Sequence, residues 1–385
     1  QRYNIGRIEW FKKGEEGDKT DYANAVPTIS QANLRTSDLT WETTTQTNIG
    51  LDLTVLSGRL TFNADYYYKK TKNMLMNVSL PAGAAAATSI ARNEGEMVNK
   101  GFEFSISSKN FRGGAFTWDT DFNISFNRNK LTKLELQKVY YDAKTADVVN
   151  DYVVRNEPGR ALGGFYGYIS DGVDPETGEL MYRDLNHDGK ISSSDRTYIG
   201  DPNPDFTYGM TNTFSWKGFD LTIFLSGSYG NDVLNYNRRW LEISGSNSNL
   251  LKSTGYAIVE KIDPNGPDDY RNFHVTGGDA NSPRMYTQSS KNLNWRVSDR
   301  YVEDGSYLRI QNISLGYTLP KKWLQKTPIQ NLKIYANLQN VYTWTKYKGY
   351  DPEVGSLYGN TLYNGIDYGR YPSPRIYTFG LNVSF

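Results

Sequence analysis

The chain ends in a run in which every second residue is bulky and apolar. The apolar positions alternate with small polar ones, and they are Tyr377, Phe379, Leu381, Val383 and Phe385. A β-strand points successive side chains to opposite faces, so this run predicts a strand with one apolar and one polar face. The same alternation recurs upstream, from Leu60 to Tyr68 and from Phe116 to Phe126. We therefore expect a chain built from repeated amphipathic strands.

Alternation and turn residues together predict nine strands, near residues 40–56, 59–71, 98–110, 116–130, 205–216, 219–229, 306–319, 332–344 and 375–385. Short connections strictly alternate with long ones. The long connections are residues 72–97, 131–204, 230–305 and 345–374. An up-and-down barrel in an outer membrane has short periplasmic turns at one rim and long extracellular loops at the other. The pattern therefore predicts an all-β fold, an antiparallel transmembrane β-barrel.

The number of strands is odd, which leaves the first and last strands pointing the same way in an antiparallel order. Bacterial single-chain barrels have even strand numbers. The expectation is therefore that residues 39–385 form the C-terminal part of a larger barrel. Residues 1–38 are mostly polar and aperiodic, and they are expected to be the end of an extracellular loop.

Composition is consistent with a membrane barrel but also with a soluble all-β protein. The 385 residues include 30 Tyr, 16 Phe and 8 Trp, yet the mean hydropathy is -0.64. A barrel strand needs only every second residue to be apolar, whereas a spanning helix needs roughly 20 consecutive apolar residues.

Lys plus Arg is 43 and Asp plus Glu is 42, so no charge excess favours nucleic acid as a partner. The absence of cysteine excludes disulfides and thiol catalysis.

Several segments, in their order along the chain, resemble the C-terminal part of SusC-like (SusC/RagA family) TonB-dependent outer-membrane transporters. The segments are Leu39-Thr40-Trp41-Glu42, Asn99-Lys100-Gly101-Phe102-Glu103, the run from Ile199 to Phe206, the run from Tyr307 to Tyr317, Gln339-Asn340-Val341-Tyr342, Gly349-Tyr350-Asp351-Pro352-Glu353 and Tyr371-Pro372-Ser373-Pro374-Arg375. The resemblance covers about residues 39–385. The family's N-terminal plug and signal peptide have no counterpart in these residues.

The resemblance implies a barrel of about 22 strands in the bacterial outer membrane, to which this chain would contribute about nine. It implies TonB-dependent import of an oligosaccharide or oligopeptide, with a SusD-like lipoprotein as a lid and with the TonB complex acting through the N-terminal part. The terminal strand from Tyr377 to Phe385 resembles the signal that the barrel-assembly machinery recognises; a well-packed last strand explains the same residues.

Residues 184–195 reproduce the order of oxygen ligands in a calcium-binding loop. The predicted ligands are the side chains of Asp184, Asn186 and Asp188, the carbonyl of Lys190 and the side chain of Asp195, with Gly189 at the sharp turn. Position 12 is Asp rather than the usual Glu. The same residues are also common in surface turns, which need no ion. We expect a structural Ca²⁺ that orders a long loop with few apolar anchors.

Aromatic and basic side chains in the predicted external loops are candidates for contact with a substrate or a lid. They are Tyr229, Tyr236, Arg238, Trp240 and Tyr350. Aromatic faces stack on sugar rings and grip peptides, but they equally suit an aromatic girdle at the membrane interface.

No catalytic constellation is visible in the sequence. The two histidines, His187 and His274, have no partner at the spacing of a catalytic triad or a zinc protease, so no enzymatic activity is expected. Five strand carboxylates alternate with apolar residues, which predicts that they line a polar lumen: Asp65, Glu103, Asp119, Asp121 and Asp220. The alternative left open is a secreted calcium-binding β-sandwich that acts as a carbohydrate-binding module.

Overall fold

The fold was obtained as a computed structural model of the chain. The structure describes residues 3–8, 26–31, 36–79, 89–135, 139–144, 152–242, 255–267, 270–285 and 294–385. No helix among these residues is long and apolar enough to cross a bilayer.

The described chain is almost entirely β-structure. The strands, in chain order, are β1 (Tyr3–Ile8), β2 (Val26–Gln31), β3 (Thr43–Val55), β4 (Leu60–Ser79), β5 (Ser89–Gly113), β6 (Phe116–Leu134), β7 (Tyr140–Lys144), β8 (Tyr152–Asn156), β9 (Phe165–Gly167), β10 (Ser170–Val173), β11 (Leu180–Tyr182), β12 (Thr197–Gly200), β13 (Phe206–Trp216), β14 (Phe219–Tyr229), β15 (Asp232–Asn235), β16 (Ala257–Lys261), β17 (Phe273–Gly278), β18 (Val302–Asp304), β19 (Tyr307–Thr318), β20 (Asn331–Thr345), β21 (Ile366–Asp367) and β22 (Ile376–Ser384). Two short α-helices are α1 (Tyr236–Glu242) and α2 (Lys321–Leu324), and short 3-10 helices cover Ser193–Asp195, Tyr270–Asn272, Asp299–Tyr301, Leu357–Gly359 and Thr361–Tyr363.

Nine strands form one main sheet, in the order β3-β4-β5-β6-β13-β14-β19-β20-β22. Every neighbouring pair is antiparallel, and the order in space follows the order along the chain. The nine predicted strands and their up-and-down topology are therefore confirmed. A β-sandwich needs two sheets packed face to face, so the sandwich alternative is wrong for this sheet.

One face of the main sheet is apolar across all nine strands. Bulky residues lie opposite each other across strand pairs, as in Phe62 with Ile106, Phe122 with Met210 and Leu221 with Leu315. Aromatic rings extend the contacts, as in Phe219 and Tyr317, whose centroids lie 4.3 Å apart. The sheet thus presents a continuous apolar surface, as a lipid-facing barrel wall requires.

The opposite face of the main sheet is polar. It carries the five predicted lumen carboxylates, because each alternates with residues of the apolar face. Two of them have close polar neighbours: Ser107 donates to Asp121 Oδ1 at 2.6 Å, and Lys333 Nζ lies 2.7 Å from Asp220 Oδ2. The predicted alternation of apolar and polar faces is confirmed.

The turn at Lys217 and Gly218 shows how a short connection joins two strands. Both residues have positive φ, 46° and 92°, which matches the right-handed twist of a two-residue hairpin. A Cβ at Gly218 would lie 2.7 Å from the carbonyl oxygen of Thr318, so only glycine fits this turn without a shift.

The structure corrects the predicted bounds of two regions. β4 and β5 continue to Ser79 and from Ser89, so most of the predicted loop 72–97 is strand. Strict alternation ends there at register shifts between Thr71 and Met74 and between Met74 and Leu75, yet the backbone ladder continues to Ser79 opposite Ser89. In residues 1–38, predicted as aperiodic loop, β1 and β2 pair antiparallel.

The long connections share a hydrophobic core, which we call the loop core. It consists of Val153, Val154, Phe165, Leu234, Tyr236, Val297, Tyr301 and Ile366. These residues come from the predicted loops 131–204, 230–305 and 345–374. A parallel pair, β15 with β21, and a bridge from Tyr168 to Ser298 join the loops further. The expectation that loop 131–204 has few apolar anchors is therefore wrong.

Candidate functional site

The long connections all leave the same end of the main sheet, so the candidate site is the body that they form there. Arg309 attaches this body to the sheet. It belongs to β19, is only 3% exposed, and forms ion pairs with Asp351 and with Glu353, the latter at 2.9 Å. Its Nε donates to Thr343 Oγ1 at 2.9 Å. The guanidinium of Arg309 thus holds the segment after β20 against β19 and β20 of the main sheet.

Asp351 is held as a carboxylate. Burial raises the pKa of its carboxyl group, but hydrogen bonds from the backbone N–H groups of Glu353 and Ser373 and the charge of Arg309 outweigh burial, so the pKa is lowered. The N–H distances are 3.0 and 3.1 Å. Asp351 therefore orders its own turn as well as pairing with Arg309.

A second buried ionic cluster surrounds Arg238. Its guanidinium lies 2.5 Å from Glu242 Oε1 and 2.8 Å from Glu303 Oε1, and its side chain is 16% exposed. Burial disfavours the cation, but the two carboxylates prevail and raise the pKa of Arg238. Arg238 was predicted to contact a substrate or a lid; its donors instead join α1 to β18.

Tyr236 is a correction to the predicted contact residues. Its side chain is 1% exposed, lies in the loop core, and its hydroxyl accepts a hydrogen bond from Arg239 at 2.6 Å. A side chain enclosed in this way does not reach a substrate or a lid. The sequence could not reveal this, because the residues that bury Tyr236 lie far from it along the chain.

The remaining predicted contact residues, Tyr229, Trp240 and Tyr350, lie in three different parts of the structure. Tyr229 lies on the apolar face at the end of β14, stacked on Phe206 with 5.2 Å between ring centroids, which suits the girdle alternative. Trp240 lies in α1, but its side chain is outside the described residues. Tyr350 is 80% exposed beside Asp351, and Tyr371, which was not predicted, is 86% exposed. Tyr350, from the predicted set, and Tyr371, from outside it, both present an exposed aromatic ring.

The loop 184–195 folds as a series of tight turns. Asp184 Oδ2 accepts from the N–H of Gly189 at 2.8 Å, Asn186 Oδ1 from that of Asp188 at 3.0 Å, and Asp188 Oδ1 from that of Lys190 at 2.8 Å. His187 and Gly189 adopt positive φ, 59° and 76°. Side chains at the first, third and fifth positions thus hold successive backbone N–H groups of the loop.

Asp195, the last residue of this loop, is hydrogen-bonded to the backbone at both ends of the loop. It is fully buried, and it accepts from the backbone N–H groups of Ser192 at 2.7 Å and Leu185 at 3.0 Å. These bonds outweigh burial and lower the pKa of Asp195, with the Ser192 bond the largest cause. Within the described residues, no three Asp, Glu or His side chains converge as a ready metal centre. Asp184 Oδ1, however, is shielded from solvent and has no hydrogen-bond partner, which leaves one oxygen available to a cation.

The terminal strand β22 lies at one edge of the main sheet. It pairs with β20 from Asn331 opposite Ser384 to Gln339 opposite Ile376. The side chains of Tyr377, Phe379, Leu381 and Val383 stand on the apolar face, where Phe379 is 78% exposed, and Phe385, directly after the strand, is 77% exposed. This geometry is compatible with recognition by the assembly machinery, a role that stays a prediction.

Comparison with known proteins places these features in a family. The model of the TonB dependent receptor-like beta-barrel family matches residues 13–341. TonB-dependent receptor P3 of Formosa agariphila is 35% identical over 386 residues, which cover 95% of this chain and 35% of the relative. TonB-dependent receptor SusC of Bacteroides thetaiotaomicron is 32% identical over 379 residues, which cover 95% of this chain and 34% of the relative.

Solved structures agree at the level of the fold. The structure of the RagAB peptide transporter matches with a TM-score of 0.73 and 22% identity, over 100% of this chain and 38% of that chain. The chain thus spans about a third of the length of these relatives. Because the family model covers most of the chain, this protein belongs to the TonB-dependent receptor-like β-barrel family of the outer membrane and is SusC-like.

Proposed function

We propose that this chain forms part of the wall and the extracellular loops of a TonB-dependent importer that carries an oligosaccharide or an oligopeptide without changing it chemically. The observation that carries the proposal is the main sheet, with a continuous apolar face, a polar face and one end occupied by a packed loop body. An apolar face suits lipid and a polar face suits a hydrated passage.

The substrate class rests on the character of the surfaces. The polar face offers hydroxyl, amide and carboxylate groups, such as Ser105, Asn63 and Asp121, which suit a flexible hydrogen-bonding solute. The solved RagAB relative is described as a peptide transporter, and the relative SusC as a TonB-dependent receptor. For this chain, measurement of oligosaccharide and oligopeptide uptake distinguishes a glycan substrate from a peptide substrate.

Uptake by otherwise isogenic strains with and without the gene tests the proposal. We expect the deletion strain to lose uptake of a fluorescent oligosaccharide or of a fluorescent oligopeptide, and a strain without TonB to lose the same uptake. Monosaccharide and amino acid uptake are the controls, since these small solutes do not require a large barrel. Unchanged uptake of both oligomer classes by the deletion strain would contradict an importer of either class.

A SusD-like lipoprotein lid and the TonB complex are proposed as partners. Support for the lid comes from the exposed rings of Tyr350 and Tyr371, since exposed tyrosines are enriched at protein interfaces. We expect Y350A combined with Y371A to reduce co-purification of the lid at least about tenfold, as for central interface tyrosines. Y256A is the matched control, because Tyr256 is 44% exposed on another connection. Equal recovery of the lid with the double variant would remove these residues from the interface.

A structural Ca²⁺ in the loop 184–195 is a further proposal. Its support is the ligand order of Asp184, Asn186 and Asp188, the turn at Gly189 and the unpartnered Asp184 Oδ1. Asp195 would contribute only lone pairs that its backbone hydrogen bonds leave free. The ion would crosslink a loop that the loop core already anchors.

Terbium luminescence of the intact protein tests this proposal. We expect saturable Tb³⁺ binding that Ca²⁺ displaces, and its loss in D184N combined with D188N. D171N is the matched control, because Asp171 lies in the same connection but pairs with Arg183 at 2.6 Å. Chelation should also increase proteolysis within residues 184–195. Identical Tb³⁺ binding by wild type and the double variant would reject the site.

A further inference from the structure

Basic side chains cluster on the apolar face of the main sheet, at the end where the long connections leave. Together they form what we call the rim patch: Lys70, Lys72, Lys100, Arg128, Lys130 and Lys133. They belong to three adjacent strands, β4, β5 and β6. Strand alternation places the first five on the apolar face, because Lys70, for example, follows Tyr66 and Tyr68 by the same period of two. Lys133 joins them through a register shift that sets it opposite Glu96, the partner of Lys70.

The register brings these charges close together. Lys100 lies directly opposite Arg128, and Lys70 and Lys130 lie on either side of Val98. Like charges directly opposite each other on a sheet are destabilising. Arg128 has Asp205 as its carboxylate partner, so an anion beside Lys100 would relieve the repulsion that remains.

Carboxylates neutralise only half of the rim patch. Lys70 lies 2.8 Å from Glu96, Arg128 lies 2.7 Å from Asp205, and Lys133 pairs with Glu135. In the part of the chain that the structure describes, Lys72, Lys100 and Lys130 form no ion pair, and all three are exposed. The rim patch therefore keeps a net positive charge where the apolar surface ends.

The position of the rim patch identifies the kind of anion. Aromatic rings directly precede it on the same face, including Tyr66 and Phe102, at 4.9 Å between centroids, and Phe126 and Phe206, at 5.6 Å. Such rings mark the level of the lipid headgroups, and the long connections mark the extracellular side. A soluble anion would not need a site that continues an acyl-chain surface.

We propose that the rim patch binds the phosphate groups of an anionic lipid of the outer leaflet, with Lys100 and Lys130 as its central contacts. The acyl chains of the same lipid lie along the apolar face of β4, β5 and β6. The proposal rests on the outer-membrane fold and not on the transported substrate.

Native mass spectrometry of the intact detergent-purified protein tests the rim patch. The probe is a diphosphorylated glycolipid, compared with the same glycolipid after enzymatic dephosphorylation. We expect K100Q combined with K130Q to bind the phosphorylated lipid roughly 30-fold more weakly, at about a fivefold loss for each basic group near a headgroup. K100R combined with K130R should restore binding, and neither variant should alter binding of the dephosphorylated lipid.

The matched control is K321Q combined with K322Q, which removes two exposed lysines from α2, at the opposite end of the main sheet. A heat-dependent mobility shift on gels verifies that each variant is folded. Equal binding of the phosphorylated lipid by wild type and K100Q/K130Q would overturn the proposal. Displacement of the lipid by millimolar inorganic phosphate would also overturn it, since the patch would then be a site for free phosphate.

Discussion

At the scale of single residues, Arg309 shows how a sequence motif becomes a structural anchor. The sequence comparison singled out the runs Tyr307–Tyr317 and Gly349–Glu353 separately. The structure joins them, because Arg309 in the first run pairs with Asp351 and Glu353 in the second. No spacing rule predicts this pair, because the partners are separated by 42 and 44 residues.

Replacement of Arg309 by alanine should release the segment 346–374 from the wall. Loss of one partner leaves Asp351 buried without its cation, which costs about 3 kcal/mol or more. Hydrogen exchange of the intact protein should show a corresponding fall in the opening free energy of this segment. R183A is the control, because its ion pair with Asp171 is exposed and contributes at most about 1 kcal/mol. Unchanged protection in R309A would show that other contacts hold the segment.

Acidification should loosen the same segment through Asp351. The folded-state pKa of Asp351 is lowered, so its contribution to stability is complete above the unfolded value of about 3.9 and is lost as pH falls through the folded pKa. A spin label at position 371 should keep a constant mobility from pH 8 to 5 and gain mobility below about pH 4. In D351N the mobility should not change with pH over that range. A midpoint above pH 5 in the wild type would assign the transition to another group.

At the scale of elements, the long connections behave as one packed body rather than as separate loops. Phe165 of β9, Leu234 of β15 and Ile366 of β21 are each at most 3% exposed and come from three different connections. Their contacts make the order of one connection depend on the others. The sequence could mark these residues as apolar, but it could not show that they meet.

Replacement of Phe165 by alanine should therefore loosen more than its own connection. Removal of a fully buried phenyl ring costs about 3–5 kcal/mol. Limited proteolysis should increase in both 152–204 and 230–305, while the heat-dependent mobility of the folded sheet is retained. M181A is the control, because Met181 is 40% exposed in the same connection and should cost about 0.5 kcal/mol or less. Cleavage confined to the first connection would argue against a shared core.

At the scale of the whole molecule, the two faces of the main sheet assign lipid to one side and water to the other. Two adjacent residues of β6 stand on opposite faces of the sheet. Phe122, on the apolar face, lies opposite Ile106 and Met210, whereas Asn123, on the polar face, lies opposite Ser105 and Gly209. The same substitution at these two positions therefore isolates the effect of the face.

Replacement of Phe122 by lysine should place a charge near the middle of the apolar surface, at a cost of about 2–4 kcal/mol. We expect the amount of folded F122K in outer membranes to fall several-fold, measured by the heat-dependent mobility shift. N123K, on the polar face, should accumulate to nearly wild-type amounts. Equal loss of both variants would mean that the two faces are not distinguished as described.

The sequence by itself determined the nine strands, their order and the face on which each side chain stands. These features follow from a period of two and from turn residues, which act over a few positions. It missed the extension of β4 and β5, because register shifts between Thr71 and Leu75 and between Glu96 and Met97 interrupt the period of two.

Only the tertiary structure decided which loop residues are enclosed and which are free. Tyr236 and Tyr350 are both tyrosines in long connections, yet one is 1% and the other 80% exposed. Their environments arise from contacts between residues that are distant along the chain, such as Tyr301 and Ile366 in the loop core. Local patterns report the direction of a side chain, whereas burial depends on what the rest of the chain places against it.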